Sequence, residues 1–190
     1  MVIGVLALQG AFREHMNCLK RIGIQGRLIK SNRDLEEIEG IILPGGESTA
    51  MGKMLVDFDM KDNLSNKIRN GLPAWGTCAG MILLAKEIHG EEEAHLRVMD
   101  INVKRNAYGR QLGSFSTKKL IPMISHNPIE LVFIRAPYIN RAGKDVDILC
   151  KIDENIVAAR QKNILATSFH PELTEGETFH RYFVDMIKNQ

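Results

Sequence analysis

Cys78 stands in the run Gly76-Thr77-Cys78-Ala79-Gly80, behind the short apolar stretch Leu72-Pro73-Ala74-Trp75 and ahead of the helix-competent Met81-Ile82-Leu83-Leu84. A strand, a tight turn with a nucleophile at its apex, and a helix follow one another in the GxSxG elbow, here with sulfur in place of oxygen. Such a turn strains the backbone of its apex residue. Glycine two positions away on either side lets strand and helix approach without Cβ clashes. At the start of a helix, unpaired N–H groups and the helix dipole favour thiolate over thiol. The same N–H groups, that of Ala79 foremost, can bind an oxyanion. The plainer reading of Cys78 is a small buried apolar side chain, and the elbow alone leaves both readings open. Cys18 and Cys150 have no such context and read as packing residues.

A cysteine nucleophile needs a base within hydrogen-bond reach, and the histidines stand at 15, 89, 95, 126, 170 and 180. His170 is distinguished by its place. It closes the apolar run Ile164 to Phe169, at the carboxyl end of a strand, where ligands gather in open α/β sheets. Pro171 breaks that strand and stiffens the turn. Glu172, two positions on in an extended segment, points to the same side as His170, so its carboxylate can accept from the imidazole and fix the tautomer. Taken without Cys78, the two residues read as a solvated charge pair after a strand end sooner than as a catalytic pair. His15 and His180 fall in predicted helices and read as surface or packing residues.

A third segment, Leu43-Pro44-Gly45-Gly46-Glu47-Ser48-Thr49, ends a short apolar run with two glycines and a polar, cap-competent stretch. Its free N–H groups would line the sheet's carboxyl edge and suit an oxyanion or a carboxylate. A plain Pro-Gly turn with a Ser or Thr N-cap also explains it. No GK[ST] follows, so it is not a phosphate-binding P-loop.

The elements that must carry these segments are legible around them. Val2 to Leu8 is an apolar strand closed by Gly10, followed by Phe12, Met16, Leu19 and Ile22 at helical spacing up to Gly23. Gly26 to Ile29 and Gly40 to Leu43 are two more short strands, and Lys61 to Arg69 is helical. Beyond residue 95 the pattern changes to short strand-like runs: 96–103, 115–121, 131–135, 148–152, 156–159 and 164–169. Phe179, Tyr182, Phe183, Met186 and Ile187 then form one apolar helix face. The expected fold is α/β: a mostly parallel central sheet flanked by helices, with extra antiparallel strands in the second half, all in one domain spanning 1–190.

Composition narrows the function classes. The 190 residues carry 25 basic and 23 acidic side chains, a net charge of +2, without a clustered basic run, so neither a nucleic-acid nor an anionic-membrane surface is indicated. Three cysteines without a CxxC pair or closely spaced histidine indicate neither a zinc site nor a disulfide framework, and fit reduced thiols in a cytoplasm. The apolar N-terminus lacks a basic leader and meets Gln9-Gly10 too soon for a signal peptide or membrane span.

Taken together and in this order, PGGES, GTCAG and FHPE resemble the class I, or triad, glutamine amidotransferase domain, whose fold is flavodoxin-like. Leu6-Ala7-Leu8-Gln9-Gly10-Ala11-Phe12-Arg13-Glu14-His15, Arg105-Asn106-Ala107-Tyr108-Gly109-Arg110-Gln111 and Phe133-Ile134-Arg135-Ala136-Pro137 are similar to the branch serving pyridoxal 5′-phosphate synthesis. The resemblance runs from Gly4 to about Thr174. It implies Cys78 as nucleophile, His170 as general base and Glu172 as its orienting acid. It further implies Gly46, Glu47, Ser48, Arg105, Ile134 and Arg135 around L-glutamine, and an oxyanion hole from Gly45, Gly46 and Ala79. An arginine suits the substrate α-carboxylate through its planar fork, although either arginine could equally be a surface ion-pair partner. The scheme uses no metal or organic cofactor.

Because free ammonia is mostly protonated near neutral pH, such glutaminases pass it within a complex to a synthase. The resemblance therefore implies, as partner, a separate barrel-shaped pyridoxal 5′-phosphate synthase subunit, with little glutaminase activity until that partner orders the oxyanion loop. Alternative readings are a glutaminase subunit of histidine or anthranilate biosynthesis, a γ-glutamyl hydrolase, or a non-catalytic regulatory module with Cys78 as redox sensor. No motif is recognisable in 91–95 or 121–130.

Overall fold

The computed structural model describes residues 1–91, 93–105 and 113–190. The first half alternates strictly: β1 (Val2–Leu6), α1 (Phe12–Arg21), β2 (Gln25–Ile29), β3 (Gly40–Leu43), α2 (Ser48–Asp57), α3 (Lys61–Arg69), β4 (Ala74–Thr77) and α4 (Ala79–Leu84). The second half is strand-rich: β5 (Ala85–Ile88), β6 (Met99–Lys104), β7 (Ser114–Lys119), β8 (Ile129–Ile134), β9 (Tyr138–Ala142), β10 (Asp147–Ile152), β11 (Asn155–Gln161) and β12 (Ile164–Thr167), then α5 (Thr178–Lys188).

The principal sheet runs β2-β1-β3-β4-β12-β11-β9-β6-β5, with β10 paired to β11. From β2 to β12 every pairing is parallel, and from β12 through β11 and β9 to β6 every pairing is antiparallel. The mostly parallel sheet with an antiparallel extension matches the sequence expectation. β7 and β8 form a separate antiparallel ribbon. β5 and β9 carry no clean alternation. Ala85-Lys86-Glu87-Ile88 continues a helix-like run, and β9 holds Asn140 and Arg141 side by side, so pairing with β6 and β11 fixes it as a strand.

Alternating side chains along the parallel strands feed two cores. Ile41, Leu43, Ala74 and Ala166 face the layer holding Met51, Leu55, Leu64, Ile68 and Ile82. Their neighbours Ile42, Trp75 and Leu165 face Leu19, Phe179 and Phe183 on the other side. This is the near-continuous apolar reading expected of strands covered on both faces. Phe179 and Phe183 are fully buried, each contributing about 2 kcal/mol of apolar burial to the docking of α5. In α1, Glu14 in the first turn and Lys20 and Arg21 in the last complement the helix dipole.

The topology sets the chemistry's location. β12, from near the chain's end, lies beside β4 in parallel register, Thr167 opposite Thr77 and Leu165 opposite Trp75. The residues leaving these two strands, Cys78 and the segment 168–172, therefore emerge side by side at the sheet's carboxyl edge. The Cys78 N–H donates to the Thr167 carbonyl at 2.8 Å and locks that arrangement. Among the described residues no helix is long and apolar enough to cross a membrane.

Candidate active site

Cys78 turns from β4 into α4 with φ 49° and ψ −104°, a left-handed conformation for a residue with a Cβ. The strain is held by close packing that only small neighbours permit. A Cβ on Gly80 would lie 1.9 Å from the Leu43 carbonyl oxygen, and one on Gly76 would lie 2.4 Å from the backbone of Gly80. The elbow is thus pressed onto β3, with the thiol 8% exposed at the turn's apex.

His170 is reached differently from the way the spacing suggested. After β12 the chain makes no further extended strand. The His170 N–H donates to the Val132 carbonyl in β8 at 2.8 Å, and Pro171–Leu173 forms a 3-10 turn. Within this tight turn the His170 Nδ1 and Glu172 Oε1 still meet at 2.7 Å. The Glu172 side chain has no solvent exposure.

Burial alone would depress the His170 pKa, but hydrogen bonding and charge interaction with Cys78 and Glu172 outweigh it and hold the imidazole up to about 10. Desolvation works against the Glu172 carboxylate, yet electrostatic attraction to the His15 ring and the hydrogen bond with His170 hold its pKa below the usual carboxylate value. Burial pushes the Cys18 and Cys150 thiols up, the state of packing cysteines.

The Pro44–Gly46 loop lies against the imidazole. A Cβ on Gly45 would sit 2.4 Å from His170 Cε1. The Gly45 carbonyl accepts from the Ala11 N–H at 2.9 Å, and because carbonyl and N–H point oppositely across a trans peptide, the Gly46 N–H faces away from Ala11. The Glu47 N–H donates to Gln9 Oε1 at 2.8 Å. The N-cap of α2 is Glu47, with Ser48 as the first helical residue, so the segment is more than a Ser-capped turn.

Gln9, Gly46, Glu47, Ser48, Cys78, Ala79, Arg105, Ile134, Arg135 and His170 line one cleft of about 510 Å³, within the range of small-molecule sites. Arg105 lines it while its Nη1 lies 2.7 Å from Glu91 Oε1, so this arginine both faces the cleft and holds an ion pair. Arg135 enters at φ 42°, its N–H donating to the Gly113 carbonyl at 2.5 Å. The remainder of the segment beginning at Arg105, Asn106 to Gln111, lies outside the described residues.

Sequence reasoning missed three contributors. Gln9, in the short link from β1 to α1, lines the cleft and orients the Glu47 N–H, and its signal was only the Gln-Gly break after the first strand. The other two are His15 and His180, which are neither surface residues nor simple packing. Both are fully buried, with His15 Nδ1 3.0 Å from His180 Nε2, His15 Nε2 3.2 Å from Thr77 Oγ1, and His15 Nε2 3.5 Å from Glu172 Oε2. The available signal was a histidine on the apolar stripe of α1, three residues after Phe12 and four before Leu19.

Burial, reinforced by His15, holds the His180 pKa down to about 2, and burial lowers that of His15. A histidine whose folded pKa lies below its unfolded value near 6.5 stabilises the fold fully above 6.5, and that stability drains as pH falls from 6.5 toward 2. The urea midpoint should therefore decline in this window, and His180→Met should flatten the decline by about 1.4 kcal/mol per pH unit, the linkage of one proton. Equal slopes in wild type and variant would rule out His180 as a proton acceptor on acid unfolding.

Comparison with known proteins agrees with this construction. The profile of the SNO glutamine amidotransferase family matches residues 5–189. The pyridoxal 5′-phosphate synthase subunit PdxT of Clostridium botulinum is 59% identical over 190 residues, covering 99% of this chain and 98% of that protein. That of Ruminiclostridium cellulolyticum is 53% identical over 186 residues, covering 97% and 98%. A solved glutamine amidotransferase superposes with a TM-score of 0.94 at 43% identity, over 99% of this chain and 100% of the other. A second solved glutamine amidotransferase, from Thermotoga maritima, shares the fold at 14% identity and a TM-score of 0.62, over 99% of this chain and 84% of the other. With profile, relatives and structure all matching along nearly the whole length, the chain belongs to the SNO glutamine amidotransferase family.

Proposed function

We propose that this chain is the glutaminase subunit of a pyridoxal 5′-phosphate synthase, releasing ammonia from L-glutamine through Cys78, His170 and Glu172. The observation that carries the reading is the strained elbow cysteine sharing a cleft with an imidazole whose Nδ1 is 2.7 Å from a buried carboxylate. The names borne by relatives above 50% identity support the assignment to vitamin B6 synthesis.

In this scheme glutamine enters the cleft with its side-chain amide at Cys78, bounded by Gly46, Glu47 and Ser48. Arg105, Ile134 and Arg135 bound the other end, where a guanidinium suits the α-carboxylate. The Cys78 thiolate attacks the amide carbon, and the resulting oxyanion is met by the N–H groups of Ala79 and the Gly45-Gly46 loop. His170 already carries the proton that the leaving nitrogen needs. Its donation breaks the C–N bond, releases ammonia and leaves a γ-glutamyl thioester on Cys78. Neutral His170 then takes a proton from water as it attacks the thioester, and glutamate departs with the thiolate and imidazolium restored. Glu172 keeps the imidazole in one tautomer throughout.

Released ammonia is useful only before it is protonated in bulk solvent, so the product passes to a barrel-shaped synthase subunit in a hetero-oligomeric complex. Residues 1–190 then form one cytoplasmic glutaminase domain.

The reading is tested by measuring glutamate and ammonia from glutamine, with and without the cognate synthase subunit. Equimolar products that rise strongly in the complex are expected. Absence of glutamine hydrolysis in an assembled complex would overturn it.

A further inference from the structure

The buried carboxylate beside His170 has a second oxygen, which is one of the unsatisfied buried groups near the site. Glu172 Oε1 lies 2.7 Å from His170, whereas Oε2 is buried and meets no hydrogen-bond partner among the described residues. From α1, His15 Nε2 faces it at 3.5 Å, and the backbone N–H of Glu172 itself also acts on the carboxylate. Resting on the triad reading above, we propose that His15, oriented by His180, is a positioning residue that directs its Nε2–H at the second oxygen of Glu172 and keeps that carboxylate turned toward His170.

The hydrogen-bond pattern selects this direction. Burial keeps both rings neutral, so each carries one N–H. If His15 carried its proton on Nδ1, it would donate to His180 Nε2. His180 would then have to carry its own proton on Nδ1, a buried atom without a partner among the described residues. The His15 Nε2 lone pair would at the same time face a carboxylate oxygen. In the opposite arrangement His180 Nε2–H donates to His15 Nδ1, and His15 Nε2–H points at Thr77 Oγ1, 3.2 Å away, and at Glu172 Oε2. The leftover atom is then an acceptor on His180, and orphaned acceptors are tolerated more readily than orphaned donors.

Packing holds the relay in place. The His15 ring meets Trp75 edge-on at 5.6 Å, and Trp75 meets His180 edge-on at 4.9 Å. Other charged and titratable groups near it are Cys18, whose Sγ lies 4.0 Å from the Glu172 carbonyl, Arg21, whose Nη2 is 3.2 Å from that sulfur, Glu14 beside His15, and Cys78 beyond His170. Among these only His15 presents an N–H toward Oε2 from inside the fold. Thr77 is also the residue before the nucleophile, so the same N–H ties the elbow to the carboxylate.

The test compares His15→Leu, which removes the donor, with His15→Gln, whose amide nitrogen reaches the place of Nε2, both assembled with the synthase subunit. Expected for His15→Leu is a 10- to 100-fold loss of kcat, the range for groups that orient others at a site, with KM for glutamine within about twofold. Alkylation of Cys78 by iodoacetamide, followed on its own peptide by mass spectrometry, should also reach half-maximum at higher pH. His15→Gln should recover kcat to within about fivefold and restore that profile. A merely structural residue would lower stability without moving the alkylation profile.

The proposal is overturned if His15→Leu keeps kcat within twofold, if its alkylation profile coincides with wild type, or if His15→Gln is no better than His15→Leu. Should His15→Leu fail to fold, His180→Met reads the same relay from behind, with a three- to tenfold loss of kcat and the same displacement, and a profile identical to wild type overturns it. Cys78→Ala serves as the control. Activity surviving in Cys78→Ala sinks the triad reading itself, whereas an inactive Cys78→Ala beside an unaffected His15→Leu sinks only the relay.

Discussion

Cys78→Ala is expected to reduce glutamine hydrolysis in the synthase complex by at least about 10⁴-fold, because the proposed mechanism has no other nucleophile at the elbow and removing one member of a concerted triad costs nearly as much as removing all. The fold should survive. Alanine keeps the Cβ, so the positive φ of 49° is no more strained than before, and a single buried sulfur is lost from a turn whose glycines do the packing. The variant also reports on its neighbour. Burial lowers the His170 pKa, and hydrogen bonding and charge from Cys78 are among the effects that hold it up to about 10, so truncation should bring it down. Titration of isotope-labelled histidine by NMR would show this. An imidazole still titrating near 10 in Cys78→Ala would mean that Glu172 alone sustains it, and the thiolate–imidazolium pair would have to be abandoned.

The same coupling fixes a pH dependence with a definite sign. A histidine with a raised folded pKa contributes stability that is complete below its unfolded value near 6.5 and is lost as pH rises through about 10. His180 acts in the opposite sense on the acid side. Between them the fold is held at neutral pH by two buried histidines in opposite protonation states.

How far the sequence revealed this depends on whether a feature is local. The elbow was readable because its demands are local: small residues two positions either side of Cys78, a strand before and a helix after. The parallel strands were readable because burial on both faces leaves continuous apolar runs such as Gly40–Leu43 and Ile164–Thr167. β5 and β9 were not, since their pairing with β6 makes them strands more than their composition does.

The cleft's wiring was harder still. His170 and Glu172 were placed on the same side by assuming an extended segment, and they meet instead across a 3-10 turn anchored to β8. His15 reached Glu172 from 157 positions earlier, through the packing of α1 against the turn at 171–173, and no local spacing encodes such a contact. A polar residue on an apolar helix face marks itself as buried. It does not name its partner.

Gly45→Ala is the second substitution with a large expected effect, and its logic is steric. The added Cβ would lie 2.4 Å from His170 Cε1 and 2.9 Å from Nδ1, closer than real Cβ atoms approach other heavy atoms. The ring cannot retreat freely, because its Nδ1 is bound to Glu172 and its backbone N–H to Val132. The loop cannot retreat freely either, because the Gly45 carbonyl is bound to Ala11 and the next residues are tied through Glu47 to Gln9. Something must move by several tenths of an ångström, and in the proposed mechanism either shift disturbs the reaction: that of the imidazole, or that of the peptide proposed to meet the oxyanion. A displacement approaching 1 Å at such a centre costs about 100-fold in rate, so kcat in the complex should fall by about two orders of magnitude. Because the clash is confined to the cleft, the thermal midpoint should change far less than the rate. A Gly45→Ala enzyme with kcat within threefold of wild type would show that the loop and His170 are not in contact during turnover.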